Sequence, residues 1–218
     1  MKNKGLPIIP VVIAACIAMA YIESFMQPVY IVKSVLKIAI FMGGIVLCGA
    51  NPLEWFVRAP KRELYIALGL SAAVIATVLG GFALLDRFID FSGVTTGLGA
   101  KEGINASNFP LAALYIIFIN SLLEELFFRG LAWLELKKYT NEYLALGFSS
   151  LLFALYHIGI MGSWVSVPLT ALATLALFCA GGVFCLLDRR GSLIPSQLLH
   201  MSANIAINTV ALRLFGII

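Results

Sequence analysis

The chain has 218 residues, of which 61% are hydrophobic and only 12% are charged. Soluble domains usually carry about 25% charged residues, so this composition indicates an integral membrane protein and excludes a sizeable soluble domain. The net charge of +4 is modest and no basic patch is interleaved with aromatic residues, which argues against nucleic acid as a partner.

The order of the apolar runs predicts an all-α, polytopic transmembrane bundle of about seven helices. Roughly 20 apolar residues cross the hydrocarbon core of a bilayer. The predicted spans are residues 6–22, 30–50, 64–85, 109–133, 143–160, 164–187 and 193–218. Residues 86–108 are glycine-rich and too polar to span, so we expect a flexible loop there. This divides the chain into N-terminal helices with a long polar loop, residues 1–108, and a core of helices, residues 109–218.

The first two spans carry the lysines of the N-terminal half. The basic start of the chain and the short apolar run after it also fit a cleaved signal peptide, but we prefer an uncleaved helix because further spans follow at once. Lys33 and Lys37 lie near one end of the second span. Their long side chains are expected to extend to the membrane interface.

The distribution of basic residues predicts the orientation. With the N-terminus in the cytoplasm, the cytoplasmic side receives most of the positive charge, as the positive-inside rule requires. The residues on that side are Lys2, Lys4, Arg58, Lys61, Arg62, Lys137, Lys138, Arg189 and Arg190. The protein is therefore expected to be a multi-pass protein of the cell (inner) membrane.

The fourth span contains the most unusual residues of the chain, Glu124, Glu125 and Arg129, within an apolar run. Each charge at the centre of a membrane helix costs about 2.5–3.5 kcal/mol even on insertion scales, so such groups usually face a protein interior and have a function. Glu125 and Arg129 are four residues apart and share a helix face, which predicts an ion pair. Glu124 points about 100° away and is left free to serve as a general base.

Both histidines of the chain, His157 and His200, fall in later spans at depths that overlap that of Glu124. His157 follows Phe153 by four residues, and Asn204 follows His200 by four. His157 can share a water molecule with Glu124, while His200 and Asn204 project side by side as two donors for an oxyanion. A base, a water site and an oxyanion hole in one pocket indicate hydrolysis of an acyl bond.

Other chemistries fit the sequence less well. A serine mechanism is disfavoured because no G-x-S-x-G elbow is present. Two glutamates and two histidines are able to hold a divalent metal, but H-E-x-x-H is absent and Asn204 is a poor zinc ligand. We expect no cofactor and keep the metal as an alternative. A transporter would require an inverted repeat, which we do not find.

Three motifs resemble those of the CPBP intramembrane proteases, also called the type II CAAX prenyl protease or Abi family. The motifs are Glu124-Glu125-Leu-Phe-Phe-Arg129-Gly130, Phe153-Ala-Leu-Tyr-His157 and His200-Met-Ser-Ala-Asn204. The resemblance covers about residues 120–204, and residues 1–100 carry no family signature. It implies a glutamate-type mechanism in which Glu124 and His157 activate water. It also implies an oxyanion hole of His200 and Asn204, supported by Glu125 and Arg129.

The resemblance does not supply the substrate. It implies a membrane-associated protein or peptide, and the short chain with charged termini looks bacterial, so processing of prenylated proteins is the less expected use. A non-catalytic immunity or scaffold protein of the same fold is the main competing hypothesis.

Overall fold

The structure is a computed structural model that describes residues 7–88, 90–161 and 167–218. Eight helices and a short 3-10 helix at Pro52–Trp55 contain most of these residues, and seven of the eight helices are long. They are α1 (Ile8–Met26), α2 (Tyr30–Leu47), α3 (Lys61–Leu85), α4 (Ser92–Glu102), α5 (Phe109–Lys138), α6 (Glu142–Met161), α7 (Val167–Leu187) and α8 (Ile194–Leu214). The prediction of an all-α bundle with about seven long helices is confirmed.

Six of the helices are long and apolar enough to cross a membrane: α1, α2, α3, α5, α6 and α7. The seventh long helix, α8, is not among these six and carries the polar residues Gln197, His200, Asn204 and Asn208. The predicted start of the sixth span at residue 164, and Lys2 and Lys4, lie outside the described residues.

The polar segment predicted as a flexible loop contains a regular helix, α4. Its 11 residues end at Glu102 and are followed by Gly103, which adopts the left-handed conformation (φ 66°) that glycine tolerates best. Glu102, the last residue of α4, is buried because Lys33 of α2 donates hydrogen bonds of 2.7 and 2.8 Å to its two carboxylate oxygens. An ion pair with a distant helix thus orders a segment whose local sequence is too rich in glycine to predict a helix.

Helix α5 occupies the centre of the bundle and is not a regular α-helix. Two stretches, Tyr115–Asn120 and Glu125–Glu135, have π-helical geometry, on either side of one α-helical turn at Ser121–Glu124. Side chains satisfy carbonyl groups of the first stretch: the Ser121 hydroxyl donates to Ile117, and the Asn204 amide donates to Ile116. Such π-helical turns are frequent at functional sites.

The C-terminal half of α5 is packed on all sides. Phe127 and Phe128 are fully buried, and Phe127 stacks on Phe41 of α2 with 4.0 Å between ring centroids. The ring of Trp55 lies directly against the backbone of Gly130, where a methyl group would overlap it. By contrast, α3 and α7 expose many of their leucines, as a helix facing lipid does. The charged turn of α5 therefore lies at the centre of the protein, enclosed by the other helices.

Candidate active site

The two adjacent glutamates of α5 point in different directions, as their spacing predicts. Glu125 Oε1 lies 3.4 Å from Arg129 Nη1, and both side chains are completely buried, which confirms the predicted ion pair. The Arg129 guanidinium also lies over the rings of Phe153 and Phe184, 3.9 and 4.6 Å from their centroids. These cation–π contacts and the ion pair stabilise the positive charge of Arg129, which would otherwise be costly to bury inside the bundle.

His200 contacts both glutamates. Its Nδ1 lies 2.8 Å from Glu125 Oε1, and its Nε2 lies 3.6 Å from Glu124 Oε2. An ionised carboxylate only accepts hydrogen bonds, so Nδ1 carries the proton and Nε2 is directed at Glu124. Glu125 therefore does more than pair with Arg129, because it also sets the orientation of this imidazole.

The position of His200 depends on the start of α8. Asp188, directly after α7, is completely buried and accepts hydrogen bonds from the amide of Ser196 (3.2 Å) and from its hydroxyl (2.5 Å). These bonds satisfy one of the free amides in the first turn of α8, as an N-cap does. His200 follows Ser196 by one turn, so the hydrogen bonds between Asp188 and Ser196 also fix the position of the imidazole along the axis of α8.

His157 reaches the same carboxylate from α6. Its Nδ1 donates to the carbonyl of Phe153 over 2.7 Å, one turn earlier on the same face, and its Nε2 lies 3.8 Å from Glu124 Oε2. A carbonyl only accepts, so the proton again lies on Nδ1. The Nε2 atoms of two histidines from separate helices thus converge on one oxygen of Glu124.

The two oxygens of Glu124 have different surroundings. Oε1 accepts hydrogen bonds from the ammonium group of Lys37 (2.5 Å) and the amide of Asn120 (3.0 Å). Oε2 is buried and has no hydrogen-bond partner among the described residues. The Nε2 atoms of His200 and His157 lie 3.6 and 3.8 Å from it, distances that suit an intervening water molecule better than a direct bond.

Asn204 lies one turn beyond His200 and completes the set. Its Nδ2 donates to the Ile116 carbonyl in the π-helical part of α5, at 3.2 Å, and this leaves a second amide hydrogen for another acceptor. A cavity of 270 Å³ is lined by Glu124, His157, His200 and Asn204 together with Lys37 and Tyr156. The structure thus brings all four residues predicted for water activation and oxyanion binding to one cavity.

A larger cavity adjoins the first but holds none of these groups. It has a volume of 780 Å³, lies between α2 and the first half of α5, and is lined mainly by apolar side chains. Tyr30, Ser34, Glu102 and Ile104 line both cavities. We place the chemistry in the smaller cavity because the polar groups converge there.

Lys37 and Asn120 are site residues that the sequence reasoning missed. The expectation that Lys33 and Lys37 extend to the membrane interface is wrong, because both side chains are buried and ion-paired. A signal for Lys37 was present in the sequence: the unpaired charge of Glu124 required a basic partner, and few basic residues lie inside apolar runs.

Within the described part of the chain, no group of three or more His, Cys, Asp or Glu side chains has the geometry of a metal site. The ammonium group of Lys37 already neutralises the oxygen of Glu124 that it contacts. The four cysteines, Cys16, Cys48, Cys179 and Cys185, are free thiols.

The fold and this cavity define an integral, multi-pass helical membrane protein with a buried centre of paired carboxylate, imidazole and amide groups. Residues 106–206 match the family model described as Type II CAAX prenyl endopeptidase Rce1-like. Over this segment the chain is similar to the CAAX endopeptidases, a family of proteases. No curated protein and no solved structure matches the chain. The matched segment contains every predicted site residue and excludes Lys37.

Proposed function

We propose that this protein is an intramembrane endopeptidase that hydrolyses a peptide bond of a membrane-associated protein or peptide. The observation that carries the proposal is the environment of Glu124 Oε2. This buried oxygen has no donor among the described residues, and the Nε2 atoms of two histidines lie within 3.8 Å of it. A water molecule placed between Glu124 Oε2 and His157 Nε2 can donate one hydrogen bond to each, which orients it and draws a proton toward Glu124, as general-base catalysis requires.

In the proposed reaction, the oxygen of this water forms a bond with the carbonyl carbon of the substrate, and its proton passes to Glu124 Oε2. His157 Nε2 accepts a hydrogen bond from the same water and aligns it. When the carbon–nitrogen bond breaks, the proton held by Glu124 moves to the departing amine. One water is consumed, and an acid and an amine are released.

The negative charge that develops on the carbonyl oxygen needs donors. Asn204 supplies the amide hydrogen that its bond to Ile116 leaves free. His200 carries its proton on Nδ1 before the reaction, and it joins Asn204 as a donor once its Nε2 is protonated during the reaction. One donor of this kind typically contributes a factor of about 10²–10³ to the rate.

We also propose in which membrane the protein lies and how it is oriented there. We place the protein in the cell (inner) membrane with its N-terminus in the cytoplasm, because the loops on that side carry most of the arginines and lysines. The family name points to prenylated CAAX proteins. On the expectation that the chain is bacterial, we propose other membrane-associated peptides as its substrates.

The proposal is tested by comparing the protein termini of host cells that produce the wild-type protein or Glu124→Gln, using mass spectrometry. The substitution keeps the size of the side chain and removes the base. Glu142→Gln is the matched control, since Glu142 forms an ion pair with Arg189 at the surface, outside the cavity.

The expected result is a new terminus in cells with the wild-type protein and the control, and its loss with Glu124→Gln. This terminus would identify the substrate and the position of the cut relative to the membrane. Identical termini in all three cultures, with each protein inserted at the same level, would reject the peptidase and favour the immunity or scaffold role.

A further inference from the structure

Lys37 is a buried lysine in the middle of the bundle, and both of its side-chain hydrogen bonds go to residues that line the candidate active site. Its side chain is 6% exposed, and its ammonium group donates to Glu124 Oε1 and to Asn120 Oδ1, each over 2.5 Å. The same group lies over the Tyr156 ring, 4.9 Å from the centroid. No other acidic residue among those described lies within ion-pair distance of Lys37.

The charges of the site balance only when Lys37 is included. Glu124 and Glu125 bring two negative charges, and α5 itself offers a single positive charge nearby, Arg129, which pairs with Glu125. Asp188 does not alter this balance, because burial raises its pKa and favours the neutral acid. The charge of Glu124 is therefore compensated by α2, a helix outside the segment that matches the family model.

Lys37 also decides which oxygen of Glu124 is free. The amide of Asn120 donates to the same Oε1 over 3.0 Å, and Lys37 binds the carbonyl oxygen of that amide, so the three groups form a closed triangle. Both donors hold Oε1, and the carboxylate cannot turn without breaking two charge-assisted bonds. Oε2 is left facing His157 and His200.

Resting on the proposed peptidase function, we propose that Lys37, with Asn120, is a positioning residue that holds Glu124 as a carboxylate with Oε2 directed at the reacting water. The active site of this protein is then built from both halves of the chain. The core of residues 109–218 supplies the reacting groups, and α2 supplies the charge that holds the base.

Lys33 provides a matched control on the same helix. It lies one turn before Lys37, its side chain is 7% exposed, and it is paired with Glu23 and Glu102 rather than with Glu124. Lys33→Met therefore removes a lysine that is as deeply buried and is paired with two carboxylates, without touching the base. Any effect that comes only from losing a buried ion pair must appear in both variants.

The kinetic test uses the substrate found by terminus mapping, with purified protein in lipid nanodiscs. Lys37→Met is expected to lower kcat by about 10²-fold, the cost of misplacing a reacting group by about 1 Å, with KM nearly unchanged. Lys37→Arg should recover part of kcat, because the charge is retained while the planar guanidinium fits the triangle less well. Lys33→Met should keep a kcat close to that of the wild type. Equal kcat losses in Lys33→Met and Lys37→Met, or an unchanged kcat in Lys37→Met, would overturn the inference.

A second measurement needs no substrate and separates the two proposals. Thermal unfolding of Lys37→Met, Glu124→Gln and the double variant gives the coupling between the two side chains. Each single change leaves one buried charge unpaired, so the double variant should be more stable than the sum of the single losses predicts. Additive losses would overturn the pairing whatever the activity. Coupling in a protein without peptidase activity would instead reject the proposed function and retain the pair.

Discussion

His200 and Glu125 are joined by a 2.8 Å hydrogen bond from Nδ1 to Oε1, and this bond aims the other nitrogen of the ring at Glu124. The two adjacent glutamates thus act on one imidazole from opposite sides. Glu125 orients the ring and pairs with Arg129, whereas Glu124 faces its free nitrogen. The pair of glutamates therefore divides into a supporting residue and a reacting residue.

Glu125→Gln should destabilise the protein strongly. The substitution leaves the fully buried guanidinium of Arg129 without its counter-charge, and breaking a buried pair in this way costs about 3–5 kcal/mol. Thermal unfolding in detergent or nanodiscs measures the loss. Glu142→Gln, which breaks the exposed pair with Arg189, should change the melting temperature little. Similar melting temperatures for both variants would show that the Glu125–Arg129 pair is not a structural support.

Asn204→Ala should slow the reaction without unfolding the protein. Loss of one oxyanion donor is expected to lower kcat by about 10²–10³-fold with little change in KM. The control is Asn208→Ala, one turn further along α8, whose amide donates to the Asn204 carbonyl and does not line the cavity. Peptide cleavage assays on both variants make the comparison. A kcat for Asn204→Ala equal to that of Asn208→Ala would remove Asn204 from the oxyanion site.

Gly130→Ala should be poorly tolerated. The added methyl group would overlap the ring of Trp55, which is itself buried, and overpacking of this kind costs about 1–3 kcal/mol. Gly147→Ala is the control, because nothing lies within 4 Å of the methyl group that it adds to α6. Unfolding followed by tryptophan fluorescence should show a lower melting temperature for the first variant alone. An unchanged Gly130→Ala protein would contradict the close packing of α5 on Trp55.

Asp188→Asn should stabilise the protein increasingly as the pH rises. Burial, aided by the charge of Glu125, raises the pKa of Asp188 well above its usual range. The folded protein therefore holds this proton more tightly than the unfolded chain does. That contribution to stability is complete below the ordinary aspartate pKa of about 3.9 and is lost as the pH rises through the higher value.

The asparagine side chain cannot titrate and keeps the shape of the carboxyl group. The difference in melting temperature between Asp188→Asn and the wild type should thus grow from about pH 4 upward. Melting curves at several pH values test this expectation. A difference that stays constant with pH, or that shrinks, would mean that Asp188 is ionised in the folded protein.

Removal of divalent metal should leave peptidase activity intact, because the proposed mechanism takes its base from Glu124 and its charge balance from Lys37. Purified protein is dialysed against a chelator, its metal content is measured, and its activity is compared before and after. The same treatment of a known zinc peptidase shows that the chelator removes metal. Activity that disappears with the metal and returns on adding it would favour the metal-dependent alternative.

The sequence predicted the all-α architecture and the six residues of the three motifs because these depend on local patterns. Apolar runs reveal spans, and four-residue spacing places side chains such as Glu125 and Arg129 on one face. The prediction that the motif residues share one pocket followed from the overlapping depths of their helix positions in the membrane.

Contacts between distant segments were not predictable in this way. Lys37 and Glu124 are separated by 87 residues and Lys33 and Glu102 by 69, and no periodicity links them. Two lysines near the end of an apolar run look like interface residues until α4 and α5 are seen to cover them. For the same reason the helix in the polar segment was missed, since its order depends on the pairing of Glu102 with Lys33.

The π-helical turns of α5 make the number of residues in this span as important as their identity. Each residue of an α-helix turns the chain by about 100°. Deleting one residue within Tyr115–Asn120 would restore a regular turn but would rotate the start of the span by that angle relative to the glutamates. The Ile116 carbonyl would then face away from Asn204. A protein with this deletion would have a more regular helix but a disrupted active site. We therefore expect single-residue deletions in this stretch to impair activity as much as substitutions of the glutamates do.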